Sequence, residues 1–278
     1  MRKRGIGVLL TGLAFLLMTG CGGPKTPEDV IHRSAAEVLL KSADSYRTET
    51  TVNVEFQTSV IGTINAVSTV TTEQTAKPAN IHIKNVMDMG AQGRQETEAY
   101  CMEEGDRFLF YLYDGKSWSK EYINPDDKAA KLENLDAMFT NGLVGYDTGL
   151  VNMTMTEEAS DGKDAYKISA DVSGETVSDE LKGAVNDLGL TSGDIPFSLD
   201  QIPNGKIKFW IEKKTFLPLR ATLDMTEMLK DIIDRTVQGT YAQDKIKLTN
   251  AVFDCRFYDY NQVGEIKLSD EAASARMK

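Results

Sequence analysis

His32 and His82 are the only histidines in this 278-residue chain, and they bound the chemistry it can do. His32 stands beside Arg33 on a stretch with helical spacing, and His82 alternates with Ile81 and Ile83, facing away from them. A metal centre needs clustered ligands, and a Ser–His nucleophile needs a base within reach. Two isolated imidazoles supply neither, so both are read as exposed surface residues, with no metal site. Carboxylates are plentiful, in the pairs Glu103-Glu104, Asp126-Asp127 and Glu157-Glu158. Each pair falls at a turn or a helix start, where solvated acids are expected anyway. No phosphate-binding glycine loop, oxygen-rich calcium loop or Gly-x-Ser-x-Gly appears. The expectation is a non-enzyme without a cofactor.

Three cysteines carry the remaining chemistry. Cys21 follows a basic Arg2-Lys3-Arg4 segment and the uncharged apolar run Gly5–Thr19. That run is shorter than the ~20 residues a membrane-spanning helix needs, which makes residues 1–20 a signal peptide. The end of the run, Leu17-Met18-Thr19-Gly20-Cys21, resembles the bacterial lipobox, with Met18 where Leu is commoner. The resemblance implies cleavage before Cys21 and acylation there, and two acyl chains give the stable anchoring that one cannot. Cys101 and Cys255 are then an even pair in an exported chain, which suggests a disulfide. Their spacing matches no disulfide framework and each lies in a strand-like run, which suggests two buried thiols instead. No CxxC occurs, so no redox or zinc motif is implied.

Charge narrows the partners. The formal net charge is -11, and loss of Arg2, Lys3 and Arg4 takes the mature chain to -14. Such a chain lacks the excess of cations that holds proteins on nucleic acid. Nor does its overall charge favour an anionic membrane surface, so membrane association falls to the lipid on Cys21. The location expected is the extracytoplasmic face of the cell membrane. The hydrophobic content of 41% supports a real core.

The elements that would position any site alternate between two periodicities. Residues 21–26 are the acylated cysteine and a short tether. Thr26-Pro27-Glu28-Asp29 opens a helix with an N-cap, a proline at its first position and acids against the dipole; Val30, Ile31, Ala35, Val38, Leu39 and Ala43 form its stripe. Period-2 patterns then predict strands over Tyr46–Ser59, Ile61–Gln74, Ala79–Asp88, Gln95–Met102, Arg107–Tyr113 and Ser117–Ile123, an antiparallel meander. Asn124-Pro125 starts a second helix, whose stripe includes Met138 and Phe139. Val151–Thr156 and Ala165–Val172 form a hairpin, Glu175–Leu188 a third helix, Glu227–Val237 a short fourth and Lys245–Tyr260 a long last strand. The domain spans 27–270, and 271–278 reads as a ragged acidic tail.

The most patterned stretch is Gly205–Met225. Ile207, Phe209 and Ile211 alternate with polar residues, and Leu217, Leu219, Ala221, Leu223 and Met225 repeat the pattern after a turn. This hairpin has one apolar face that helices or a guest molecule must cover. The lipobox, the capped first helix, the meander, the Asp114–Trp118 hairpin and Trp210-Ile211-Glu212 running through Thr215 to Pro218 together resemble a known fold. It is that of the lipoprotein carriers LolA and LolB and the mycobacterial lipoproteins LppX and LprG, and more closely of an uncharacterised family of Gram-positive lipoproteins. The resemblance implies an α+β fold: a curved antiparallel sheet, or half-open β-barrel, with helices packed on its concave face around an apolar cavity for acyl chains. It transfers no ligand-contacting residues.

Methionines at Met87, Met89, Met102, Met138, Met153, Met155, Met225 and Met228 fall in predicted elements, where flexible thioethers fill a core or line adaptable space. The cavity expected here is lined by Met87, Met102, Met138, Phe139, Phe209, Ile211, Leu219, Leu223 and Met225, with Trp118 and Trp210 as candidates for its rim. The function expected is an anchored lipoprotein that binds a lipid or acyl chain. The alternative is a sensor or scaffold recognising another envelope protein through the same half-barrel.

Overall fold

The structure, a computed structural model, describes residues 23–37, 44–105, 107–123, 150–173, 203–238 and 245–277. The signal peptide, Cys21 and the helices predicted from Asn124 and from Glu175 lie outside these residues. So do Met138 and Phe139.

Mostly β, the chain builds one large, open, curved sheet with few helices. Its strands are β1 (Ser45–Thr58), β2 (Gly62–Thr75), β3 (Ile81–Asp88), β4 (Arg94–Glu104), β5 (Arg107–Tyr113), β6 (Trp118–Ile123), β7 (Leu150–Ser160), β8 (Lys163–Val172), β9 (Gly205–Glu212), β10 (Pro218–Asp224), β11 (Ile246–Tyr258) and β12 (Arg276–Met277). They run side by side in the order β12-β6-β5-β4-β3-β2-β1-β11-β10-β9-β8-β7. Every pairing is antiparallel except β12 on β6. Register shifts interrupt β1–β11, β9–β10 and β7–β8. Such bulges bend a strand and raise its twist, which helps a wide sheet curve.

Among the described residues three α-helices accompany the sheet: α1 (Pro27–Glu37), α2 (Thr226–Val237) and the one-turn α3 (Asp270–Ala273). The start of α1 follows the capping chemistry of its sequence. Thr26 Oγ1 accepts from the Asp29 amide at 3.2 Å, and the Lys25 amide donates to Asp29 Oδ2 at 3.3 Å. For α2 the side-chain cap comes from outside its first turn, with the Thr226 amide donating to Asp224 Oδ1 at 2.9 Å. Arg33 of α1 lies over the Phe216 ring at 3.9 Å, which fixes the helix to the β9–β10 turn.

Directly opposed residues share a face of a sheet, so the register sorts side chains into two sets. Cys255 opposes Ala221 and Thr50; Ala221 opposes Phe209, Phe209 opposes Ile168, and Thr50 opposes Val70. These define the inner face. Across β7–β11 it carries the main core of Ile168, Ile207, Phe209, Ile211, Leu223 and Phe257, closed over by Val30 of α1 and by Met228 and Ile232 of α2. Across β3–β6 the same face carries Ile81, Ala99, Cys101, Phe108, Phe110 and Ile123. Between the two lie buried Thr48, Thr50, Val70 and Thr72.

The last residues form no ragged tail. Ile266, Ala272 and Ala275 are buried against Tyr100, Leu109 and Tyr111 on the outer face, and β12 closes the edge beside β6. The Asn261 amide donates to the Ser45 carbonyl at 2.7 Å and the Val263 amide to Ser45 Oγ at 3.2 Å, tying this segment to the start of β1. The apolar residues of 263–275 are too few and too irregularly spaced to announce a helix or strand. Their driving force is the second greasy side of β5.

Candidate functional site

Strand alternation builds the candidate ligand face. Gly205–Glu212 reads GKIKFWIE, so Lys206 and Lys208 point to water while Ile207, Phe209 and Ile211 point inward. Phe209, Ile211 and Leu223 meet in one buried cluster, and Met225 packs against it with Met153 and Met155. Met87 joins the same face through the register: Phe253 opposes Val52, Val52 opposes Ser68 and Ser68 opposes Met87. Five of the residues expected around a cavity therefore lie on one face, four of them in or against its main apolar cluster and Met87 beside Ser68 and Gln95.

Two do not. Leu219 packs on the other face with Ala165 and Trp210. The register slips between Pro218 and Arg220, because proline has no amide to give the ladder, and one extra residue turns Leu219 over. Met102 lies on the outer face with Tyr100 and Leu109, beneath the C-terminal segment. Both tryptophans are also outward. Trp118 packs beside Tyr100 and Tyr113, with ring centroids 5.8 and 5.5 Å away. Trp210 lies near Lys167 and Arg220, with its Nε1 donating to Glu158 Oε1 at 3.3 Å. Neither lines a rim of the inner face.

Cys101 and Cys255 are buried thiols with no disulfide between them. They share the inner face, but β4 and β11 are separated by β3, β2 and β1. Four steps of about 4.8 Å put them roughly 19 Å apart along the sheet, well past the ~7 Å reach of a bridge.

Over β1–β4 the outer face carries a polar, electrostatically knitted ladder. Arg47 donates through Nε to Glu73 Oε1 at 2.9 Å and through Nη1 to Asp259 Oδ2 at 2.7 Å. Its Nη2 also reaches Glu73 Oε1. Glu73 then meets His82 Nδ1 at 3.3 Å, His82 Nε2 meets Glu98 Oε1 at 2.8 Å, and the Tyr100 hydroxyl donates to the same oxygen at 2.7 Å. The His82 and Tyr100 rings stack with centroids 4.3 Å apart. His82 is thus not the exposed histidine its alternation suggests, but a half-buried link between two carboxylates; a neutral imidazole can donate to only one of them. Burial raises the Glu73 pKa, yet hydrogen bonds from Arg47 and His82, with their charges, outweigh it and hold the group below its ordinary value. Burial, reinforced by Glu98, pushes the Tyr100 hydroxyl well up. This ladder was invisible in sequence because its members come from four strands, and only the register brings them together.

Two open grooves of about 550 and 620 Å³ lie on the outer face, one beside Asp171, Lys206, Lys208 and Thr222, the other beside Glu49, Asn53, Asn250 and Arg256. In the first, Asp171 accepts from Lys206 at 2.6 Å and Asn152 at 2.8 Å, in that order the causes that hold its carboxyl below the usual range. Among the described residues no group of three or more His, Cys, Asp or Glu side chains could hold a metal ion, and no helix is long and apolar enough to cross a membrane.

Residues 26–276 match the family described as "Family of unknown function (DUF6612)", and the chain belongs to that family. No curated protein matches it. Among solved structures it is similar to the Mycobacterium tuberculosis lipoprotein LppX, at 15% identity and a TM-score of 0.38, covering 86% of this chain and 97% of that one. It is also similar to a LolA superfamily protein from Nitrosomonas europaea, at 11% identity and a TM-score of 0.20, covering 85% of this chain and 93% of that one.

Proposed function

We propose that this protein is a lipoprotein, acylated at Cys21 and held at the extracytoplasmic face of the cell membrane, that binds a hydrophobic or amphiphilic ligand such as a lipid or acyl chain. It acts by binding and carries out no catalysis. The observation that carries the reading is that two apolar clusters share one face, with Thr48, Thr50, Val70 and Thr72 buried between them. Both lie on one side of one open sheet, and Met87, Met153, Met155 and Met225 are distributed along it. Thioethers adapt to chain-like guests of varied shape. Each buried methylene would contribute about 0.8 kcal/mol. In this reading the sheet is a half-open barrel with its helices on the concave side, and the ligand lies between them.

The test is uptake of a fluorescent fatty acid or phospholipid by the mature protein and by Met87→Glu. Met87 is half-buried, so the variant folds, and a carboxylate on the ligand face would cut affinity by about tenfold or more. No uptake by the wild type under any loading condition, or equal uptake by Met87→Glu, would contradict the proposal.

A further inference from the structure

The β1–β2 hairpin ends in a tip that holds two large aliphatic side chains in water. Val60 is 83% exposed and Ile61 62%, and Ile246, opposite Thr58, is 37% exposed. These are three of the six large hydrophobic residues exposed among the described residues. The tip is well ordered by its own bonds. Thr58 Oγ1 accepts from the Ile61 amide and donates to the Gly62 carbonyl, both at 3.1 Å, and the Ser59 amide donates to the Lys245 carbonyl at 3.0 Å. Gly62 takes φ 78°, a conformation that favours glycine.

The tip also overhangs the sheet. β3 pairs with β2 only along Val67–Gln74, so Gly62–Ala66 runs past it by roughly 17 Å at about 3.4 Å per residue. Lys247, opposite Gln57, and Lys245 flank it, while Glu55 accepts from Thr249 Oγ1 at 2.6 Å behind them and Asp244 precedes Lys245 in sequence. Phe56–Asn65 itself contains no carboxylate, so the apex carries none of the acidic excess of a chain with 42 acids and 31 bases.

We propose that this tip dips into the headgroup region of a bilayer containing anionic lipid. Aliphatic side chains at the apex would leave water while the amines behind them meet headgroup charge, as in other interfacial anchors. A protein socket fits less well, because the tip lacks the Trp, Tyr and Arg that dominate protein hot spots. The tip stands far from the point where the anchor would emerge. A side chain added at Gly23 would meet the Tyr166 hydroxyl at 3.8 Å. By register Tyr166 is level with Thr48, which is about 40 Å from Val60 at ~3.4 Å per residue. With Cys21 acylated, these two contacts would lay β1 along the membrane surface. That orientation rests on the lipoprotein reading above, whereas the tip contact does not.

The test places an environment-sensitive dye on Ser59→Cys of the full acylated protein, Cys101 and Cys255 being buried. The protein is reconstituted in phosphatidylcholine vesicles with and without phosphatidylglycerol. A second label on Lys116→Cys, in the exposed β5–β6 turn, reports water. The expected result is a blue shift of the tip label and several-fold weaker iodide quenching than at position 116, strongest with phosphatidylglycerol. Adding Val60→Asn and Ile61→Asn should abolish the protection and leave the melting temperature unchanged. Equal quenching at both labels, or protection that survives the double substitution, overturns the proposal. Protection seen in native membranes but not in pure lipid assigns the tip to a protein and overturns it equally.

Discussion

β9 and β5 sit in opposite halves of the same sheet and solve burial differently. β9 alternates, burying Ile207, Phe209 and Ile211 under α1 and α2 and sending Lys206 and Lys208 to water. β5 reads RFLFYLY and does not alternate. Phe108, Phe110 and Leu112 join the inner cluster, while Leu109 and Tyr111 join an outer one capped by the C-terminal segment. An alternating strand needs one cover and a continuously apolar strand needs two. The chain meets the second demand with residues 263–277, folded back over β4–β6. The ligand reading concerns only the inner face, so the two halves can be perturbed separately.

The largest effect should come from the inner core of the β9 half. Ile207 is fully buried beside Met228 and Leu223, so Ile207→Ala should cost about 3–4 kcal/mol by lost burial and cavity formation. Chemical denaturation should show it as one cooperative loss. A loss confined to β7–β9 would break the continuity of the sheet. Truncation before Val263 should cost less, about 2–3 kcal/mol. It should speed hydrogen exchange in β4–β6 while leaving exchange in β8–β10 and ligand uptake unchanged. Uptake abolished by that truncation would show that the outer cluster belongs to the site.

Acid titration tests the polar ladder. Glu73 is held below the ordinary glutamate value of 4.5, so it contributes stability above that value, lost as pH falls through its folded value. Solvent screening keeps this below about 1 kcal/mol. Glu73→Gln should therefore be slightly less stable than the wild type at neutral pH and equal to it at strongly acid pH, by thermal melts across the range. A gap that persists in acid would mean Glu73 acts through packing. The smallest effect is that of reductant: with no disulfide between Cys101 and Cys255, dithiothreitol should leave the melting temperature unchanged.

Much of the strand layout was legible because period-2 patterning and turn residues are local signals. The β9–β10 hairpin, the meander from β1 to β6 and the capped start of α1 all follow from neighbours in sequence. What was not legible depends on pairing. The bulge that turns Leu219 outward shows only in the register of β10 on β9. The partners of His82 come from β2 and β4 and appear only when the strands align. The cover over β5 could have been inferred from FLFYLY, which demands two buried sides, although nothing in residues 263–277 says that they provide it. For the proposed ligand face, the common placement of Phe209, Ile211, Leu223 and Met225 follows from alternation, whereas Met102 falls on the other side because the outer face of β4–β6 is apolar too.

Native mass spectrometry of the protein purified from its native host, with organic extraction of whatever accompanies it, tests the central claim most directly. A discrete added mass that resolves into lipid species, and is lost from Met87→Glu, is the predicted result. A clean unliganded mass, with no uptake of added fatty acid or phospholipid, would contradict it and leave the inner face as an ordinary core.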